Sequence, residues 1–81
     1  MKAWFVYIVE CSDKSLYTGI TVDLDRRVLE HNTSNKGAKY TRPRRPVQLV
    51  YSETYEDRSS ASKRESAIKK LSRSDKLTLL R

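Results

Sequence analysis

The sequence predicts an α+β protein in which a small three-stranded antiparallel sheet is flanked by helices in the order β-β-α-β-α-α. Two apolar segments near the start, separated by a short polar turn, predict a β-hairpin. Three later segments repeat apolar residues with the period of a helix, and an alternating segment lies between the first and second of them. Because 81 residues suffice for one hydrophobic core, we expect a single domain spanning residues 1–81.

The first strand is predicted at residues 3–11, where apolar side chains occupy both alternating faces. This pattern is typical of a central strand that is covered on both sides. Turn residues follow, and the second strand is predicted at residues 16–20. Because strand side chains alternate between faces, Tyr7 and Tyr17 share a face only if the turn holds an odd number of residues or contains a bulge.

The first helix is predicted from an N-cap at Asp23 to about residue 32. Its inner stripe consists of Leu24, Arg27, Val28 and His31, and half of these residues are polar. An arginine and a histidine beside core-facing positions indicate that they face a ligand or an acidic neighbour.

A third strand is predicted at residues 47–55, after Pro46, with Val47, Leu49 and Tyr51 alternating onto one face. Two helices follow. The first is predicted from residue 57 or 59 to residue 71, and a short terminal helix is capped by the segment Ser72-Arg73-Ser74-Asp75.

Glu65 lies on the predicted inner stripe of the second helix, between Ala61 and Ile68. A carboxylate in such a place needs a cation, a metal ion or hydrogen-bond donors, and this suggests a functional position. The alternative is a capping box over residues 62–65, in which the helix starts at Ser62 and Glu65 only caps it.

The charge balance indicates a polyanionic partner, because 17 basic residues stand against 10 acidic ones and give a net charge of +7. The basic loop, residues 36–45, holds five cations, Tyr40 and no acid. Pro43 and Pro46 stiffen it, which favours a phosphate-contacting loop. The alternative is a solvated, mobile loop without a partner.

Several classes of protein are excluded by composition. One cysteine, Cys11, and one histidine, His31, cannot form an internal disulfide or a zinc site of the usual spacing. The apolar run at the N-terminus is interrupted by Glu10 and is too short for a membrane span or a secretory signal. We therefore expect a cytoplasmic protein without a membrane partner.

An ordered set of short motifs resembles the GIY-YIG nuclease family. Val6-Tyr7-Ile8 and Tyr17-Thr18-Gly19 are followed at spaced intervals by Arg27, His31 and Glu65. The resemblance runs from Val6 to about Leu77 and is strongest to small stand-alone members of the family. It implies the GIY-YIG endonuclease fold and a metal-dependent DNA endonuclease that hydrolyses phosphodiester bonds.

The resemblance also implies a function for each residue of the motifs. Glu65 would bind one divalent cation, Mg²⁺ or Mn²⁺, and a single carboxylate completed by water and phosphate suits Mg²⁺. Tyr17 would be the general base and Tyr7 would position the attacking water or the base. Arg27 would stabilise charge on the phosphate, and His31 would lie close to the attacking water.

The nucleic-acid-binding residues are predicted in the basic loop and on the second helix: Lys36, Lys39, Tyr40, Thr41, Arg42, Arg44, Arg45 and Lys69. Such cations position a backbone without reading its sequence, so structure-selective cleavage is favoured. The resemblance to the family implies that this cleavage serves DNA repair or recombination. DNA is favoured over RNA, and the protein is expected as a monomer or weak homodimer. The rival hypotheses are a non-catalytic nucleic-acid-binding module on the same scaffold and a domain that recruits repair proteins.

Overall fold

The computed structural model describes residues 3–80, which form one three-stranded antiparallel sheet with helices on both faces. The strand order is β2-β1-β3, so the predicted α+β architecture and the central position of the first strand are confirmed. In chain order the elements are β1 (Trp4–Glu10), β2 (Leu16–Thr21), α1 (Leu24–Thr33), a 3₁₀ turn (Arg42–Arg44), β3 (Gln48–Tyr55), α2 (Arg58–Lys69) and α3 (Arg73–Leu79). Within the described part of the chain, no helix is long and apolar enough to cross a membrane.

The alternation of β1 divides the core into two clusters. Val6 and Ile8 pack against Ala61 and Ile68 of α2 on one face, where Leu79 of α3 also lies. On the other face, Tyr7 and Val9 form a second cluster with Cys11 and Val47, and Leu24 and Val28 of α1 pack against it. Because β1 has an apolar side chain on each face, it can lie between the two helical layers.

A β-bulge between β1 and β3 corrects the predicted alternation of the third strand. Ile8 pairs with Tyr51, but Val9 pairs with Leu49, so Val50 is an extra residue. Leu49 therefore packs in the cluster of Tyr7, whereas Tyr51 packs in the cluster of Ile8. The prediction that Leu49 and Tyr51 share a face is wrong because one extra residue reverses the side of every side chain beyond it.

Each helix begins at a side-chain cap. Asp23 accepts a hydrogen bond from the amide of Arg26 at 3.1 Å, as the N-cap prediction for α1 requires. Asp57 accepts from the amide of Ser60 at 2.7 Å and starts α2. The alternative start at Ser62 is therefore wrong, and Glu65 lies in the middle of α2 rather than in a capping box.

An ion pair attaches α2 to the edge strand β3. Arg64 donates to both carboxylate oxygens of Glu53, at 2.9 and 3.0 Å, and the hydroxyls of Tyr51 and Tyr55 donate to the same carboxylate. A two-pronged arginine–carboxylate contact restrains both position and rotation. Because Glu65 follows Arg64 directly, this contact also orients the turn of α2 that carries Glu65.

Candidate active site

The hairpin places Tyr7 and Tyr17 on one face of the sheet. Tyr7 pairs with Gly19 and Val9 pairs with Tyr17, so both tyrosines have the orientation of Val9. Since β1 ends at Glu10 and β2 begins at Leu16, the turn holds five residues. The odd number needed for a shared face is present.

A buried hydrogen-bond chain joins β1, α1 and the basic loop. The Tyr7 hydroxyl lies 2.8 Å from Nε2 of His31, and Nδ1 of His31 lies 2.8 Å from Oγ1 of Thr41. Oγ1 of Thr41 donates to the carbonyl of Ala38 at 3.0 Å, which uses its only proton. Nδ1 of His31 must therefore be the donor to Thr41, and Nε2 accepts the proton of Tyr7.

Burial keeps both ends of the Tyr7–His31 bond neutral. It raises the pKa of Tyr7 to about 12, aided by the negative charge of Glu65 and opposed by the guanidinium of Arg27. Burial likewise lowers the pKa of His31 to about 4, and the positive charge of Arg27 acts in the same direction. At neutral pH the pair is thus a phenol that donates to an uncharged imidazole.

The buried, neutral His31 makes stability depend on pH. An unfolded histidine has a pKa of about 6.5, so below that pH the unfolded chain binds a proton that the folded chain rejects down to about pH 4. Stability is therefore lost as the pH falls through this window. We expect the stability advantage of the wild type over His31→Gln to shrink by about 2 to 3 kcal/mol between pH 7 and pH 4.5.

Urea denaturation of the two proteins at several pH values measures this change, and taking the difference cancels titrations that both proteins share. A difference in unfolding free energy that stays constant with pH would show that His31 is not held neutral by the fold.

The guanidinium of Arg27, on α1, lies beside the Tyr7–His31 pair. Its Nη1 donates to Oε1 of Glu30 at 3.0 Å and to the carbonyl of Lys36 at 2.9 Å. The side chain is about a quarter exposed (24%), and its charge acts on both Tyr7 and His31. The guanidinium is therefore fixed beside the buried pair while part of it remains open to a ligand.

Glu65, which lies on α2 in the opposite helical layer, acts on this group through its charge. Its charge contributes to the raised pKa of Tyr7, and its side chain is 21% exposed. Lys69, one turn later on α2, places Nζ 3.3 Å from Oε2 of Glu65. Within residues 3–80 no three histidine, cysteine or acidic side chains are grouped as a metal site. A lone, partly exposed carboxylate suits a cation whose other ligands are water and phosphate, as for Mg²⁺.

The ring of Tyr17 is held on two sides. The His31 ring meets it edge-on at 5.4 Å between centroids, and the Tyr40 ring is stacked on it at 6.0 Å with an interplanar angle of 21°. No hydrogen bond joins the Tyr17 hydroxyl to another residue of the described chain. In contrast to the Tyr7 hydroxyl, it is therefore available to a ligand.

The predicted nucleic-acid-binding residues fall into two groups. Thr41 is fully buried, and Arg45 donates to the carbonyls of His31 and Ser34 at the end of α1. Their contacts support the loop and the helix end from within. The other six side chains are exposed or half-buried at the surface, as Arg45 also is: Lys36, Lys39, Tyr40, Arg42, Arg44 and Lys69.

Gly37 lets the basic loop lie against the end of α1. A Cβ on this residue would lie 2.8 Å from the carbonyl oxygen of Glu30 and 3.0 Å from Cα of His31. Backbone atoms cannot move aside, so only glycine permits this approach. The loop is thereby brought to the Tyr7–His31 pair.

Sequence analysis missed one supporting residue of this site, Glu30, and one supporting contact, between His31 and Thr41. Glu30 lies three residues after Arg27, and this helical spacing was a usable signal for their ion pair. The hydrogen bond from His31 to Thr41 had no such signal, because the intervening segment is irregular loop.

The chain is similar over nearly its whole length to one protein family. The sequence model of a family that is described as the GIY-YIG catalytic domain matches residues 3–78 of this chain. UPF0213 protein DP2720 of Desulfotalea psychrophila is 66% identical over 79 residues, which cover 98% of this chain and 72% of that protein. UPF0213 protein SERP0126 of Staphylococcus epidermidis is 55% identical over 80 residues, covering 99% and 96% of the two chains.

Two solved structures share the fold. The solution NMR structure of UPF0213 protein BH0048 from Bacillus halodurans is 46% identical with a TM-score of 0.61, covering 96% of this chain and 82% of that one. The solution NMR structure of EF2693 from E. faecalis is 47% identical with a TM-score of 0.63, covering 94% and 80%.

Proposed function

Because this chain belongs to the GIY-YIG family, a family of nuclease domains that generally depend on divalent metal ions, we propose that it is a Mg²⁺- or Mn²⁺-dependent DNA endonuclease. The observation that carries the proposal is that side chains from β1, β2 and α1 pack together around two tyrosines, on one of which the charge of Glu65 from α2 also acts. Tyr7 and Tyr17 are adjacent, and the charges of Arg27 and Glu65 both act on the Tyr7 phenol.

The two tyrosines have different chemical capacities. Tyr7 already donates its proton to His31 and has a pKa of about 12, so it remains a neutral phenol. Tyr17 has no such commitment within the described residues. We therefore assign Tyr17 as the general base: its phenolate form would accept a proton from the attacking water, and Tyr7 and His31 form the rigid neutral pair that positions it.

The charged residues serve the phosphate. Arg27 is held by Glu30 while it is still partly exposed, so its remaining donors can stabilise negative charge that develops on the phosphate oxygens. Glu65 would hold the divalent cation, which when bound supplies Lewis-acid polarisation of a phosphate oxygen. The exposed cations of the basic loop, together with Lys69, would contact neighbouring phosphates of the nucleic acid.

Cleavage is proposed to be structure-selective, in DNA repair or recombination. Cations that contact phosphates fix position and orientation but carry no sequence information. A monomer has one such group of residues, so each encounter cuts one strand.

The test is cleavage of labelled duplex, nicked, flap and single-stranded DNA with Mg²⁺, with Mn²⁺ and with EDTA. We expect metal-dependent cutting by the wild type and a loss of at least about a hundredfold in Tyr17→Phe, the contribution typical of a general base. Thr78→Val also removes a hydroxyl, but from α3 on the opposite sheet face, where that hydroxyl donates within the helix, and it is expected to cut like the wild type.

Binding of the same DNAs is measured in parallel. Wild-type protein that binds DNA but cuts none of the substrates would replace this proposal with the non-catalytic binding module. Undiminished cutting by Tyr17→Phe would remove Tyr17 from the general-base position.

A further inference from the structure

A column of stacked groups extends outward from Tyr17 through the basic loop. One face of the Tyr40 ring lies against Tyr17, with the planes inclined by only 21°. The guanidinium carbon of Arg44 lies 4.0 Å from the centroid of the Tyr40 ring. Tyr40 is thus in contact both with Tyr17 and with a cation.

This arrangement changes the expected function of Tyr40. The residue is 42% exposed and is an aromatic in a basic loop, which is typical of a platform for a nucleobase. Here, however, the ring is already in contact with Tyr17 and with Arg44. The ring is therefore placed to restrain Tyr17.

Arg44 is itself held by the turn between β1 and β2. Its Nε donates to Oδ2 of Asp13 at 3.1 Å, and its Nη1 donates to the carbonyl of Tyr40 at 2.6 Å. The amide of Ser12 donates to the carbonyl of Arg44 at 2.9 Å. Side-chain and main-chain contacts thus join the turn and the basic loop.

The carboxylate of Asp13 is also held by hydrogen bonds within its own turn. Its other carboxylate oxygen accepts from the amide of Ser15 at 3.0 Å and from the hydroxyl of Ser15 at 2.5 Å. These hydrogen bonds orient the carboxylate independently of Arg44. Arg44 therefore donates to an acceptor whose position is already fixed.

We propose that Asp13 and Tyr40 are positioning residues for Tyr17: Asp13 holds Arg44, Arg44 holds the Tyr40 ring, and Tyr40 keeps the Tyr17 ring in the orientation needed for proton transfer. This inference rests on the proposed function of Tyr17. The β1–β2 turn, which carries no catalytic group, would then set the turnover of the site.

The exposed ion pair alone contributes little to folding, because both partners are partly solvated. Its effect is expected on geometry instead. Displacement of a reacting group by about 1 Å can reduce a rate by up to about a hundredfold. Loss of the Asp13 contact should therefore lower kcat while leaving the melting temperature and KM nearly unchanged.

The experiment compares Asp13→Asn, Tyr40→Leu and the double variant in steady-state cleavage. We expect each single variant to lower kcat by about tenfold with KM changed by less than about twofold. The double variant should be no slower than the slower single variant, because both changes break one chain of contacts. Tyr40→Phe, which keeps the stacked ring, should restore kcat.

Asp75→Asn is the matched control. It removes the same charge from an exposed aspartate in the first turn of α3, the helix that packs on the other sheet face, and it should leave kcat unchanged. A second measurement does not depend on activity: the aromatic proton shifts of Tyr17, followed by NMR, should change in Asp13→Asn and stay constant in Asp75→Asn.

The outcomes separate the two proposals. If the wild type cuts DNA and Tyr17→Phe does not, but Asp13→Asn keeps its kcat and its Tyr17 shifts, the positioning inference is overturned while the nuclease proposal stands. A change in KM alone would also overturn it, since Asp13 would then only compete with phosphates for Arg44. If no protein cuts, the nuclease proposal fails, and the NMR comparison still decides whether Asp13 positions Tyr17.

Discussion

Glu65→Gln is expected to abolish cleavage without loss of folding or of DNA binding. The amide keeps the size of the side chain but removes the charge that would hold a divalent cation. Residues 3–80 contain no group of three or more histidine, cysteine or acidic side chains that could hold the cation in its place. We expect a decrease in kcat/KM on the order of a thousandfold or more, in line with the several kcal/mol that metal catalysis supplies.

Folding and binding should respond weakly to this change. Glu65 is partly exposed, and its pair with Lys69 is a surface contact between neighbouring turns of α2. Removing a negative charge also raises the net positive charge, so the affinity for DNA should stay equal or increase slightly at low salt.

Glu56→Gln is the matched control, because Glu56 is an exposed glutamate between β3 and α2. Titration with Mn²⁺ adds a measurement independent of turnover, since the paramagnetic ion should broaden NMR signals around Glu65 in the wild type and not in Glu65→Gln. Cutting by Glu65→Gln within about tenfold of the wild type would show that Glu65 does not hold the required cation.

Gly19→Ala is expected to destabilise the protein and to disrupt the site together. A Cβ at Gly19 would lie 2.5 Å from the hydroxyl oxygen of Tyr7 and 2.7 Å from Cζ of the same ring. The ring cannot stay in place, and moving it breaks the buried hydrogen bond to His31. Overpacking together with an unsatisfied buried group gives an expected cost of about 2 to 4 kcal/mol.

The backbone of Gly19 does not lie in the left-handed region, so alanine by itself fits the main chain. On unfolded-state entropy alone the change would stabilise the protein slightly. A measured decrease in the unfolding free energy would therefore be due to the contact with Tyr7. A decrease in the urea midpoint measures it, and the NMR signals of His31 report the lost hydrogen bond.

A double-mutant cycle supplies the control. In a Tyr7→Leu background the shorter side chain no longer lies over residue 19, so Gly19→Ala should cost much less than in the wild type. An equal cost in both backgrounds would mean that the destabilisation arises elsewhere than at the Tyr7 ring.

The local elements could be predicted from the sequence because their signals are short-range. The caps at Asp23 and Ser72 were correctly identified, since capping depends on residues within one helical turn. The apolar character of both faces of β1 indicated its central position for the same reason. The family signature added the catalytic candidates, although their individual functions remain predictions.

The bulge at Val50 could not be predicted from alternation. Val47, Leu49 and Tyr51 alternate regularly, yet the structure inserts one extra residue so that both core clusters receive an apolar side chain from β3. Packing against two helical layers outweighed the period-two pattern of the isolated strand.

By itself, the sequence determined the order of elements, the basic character and the residues that make up the family signature, because composition, periodicity and motif spacing are properties of the chain. Only the tertiary structure decided that Tyr7 donates to a neutral His31 across 24 positions of sequence, and that Arg44 and Tyr40 stack toward Tyr17. These contacts depend on burial and on the approach of distant segments at Gly19 and Gly37. The approach of these segments determines the proton positions and the ring stacking. No local pattern in the sequence indicates it.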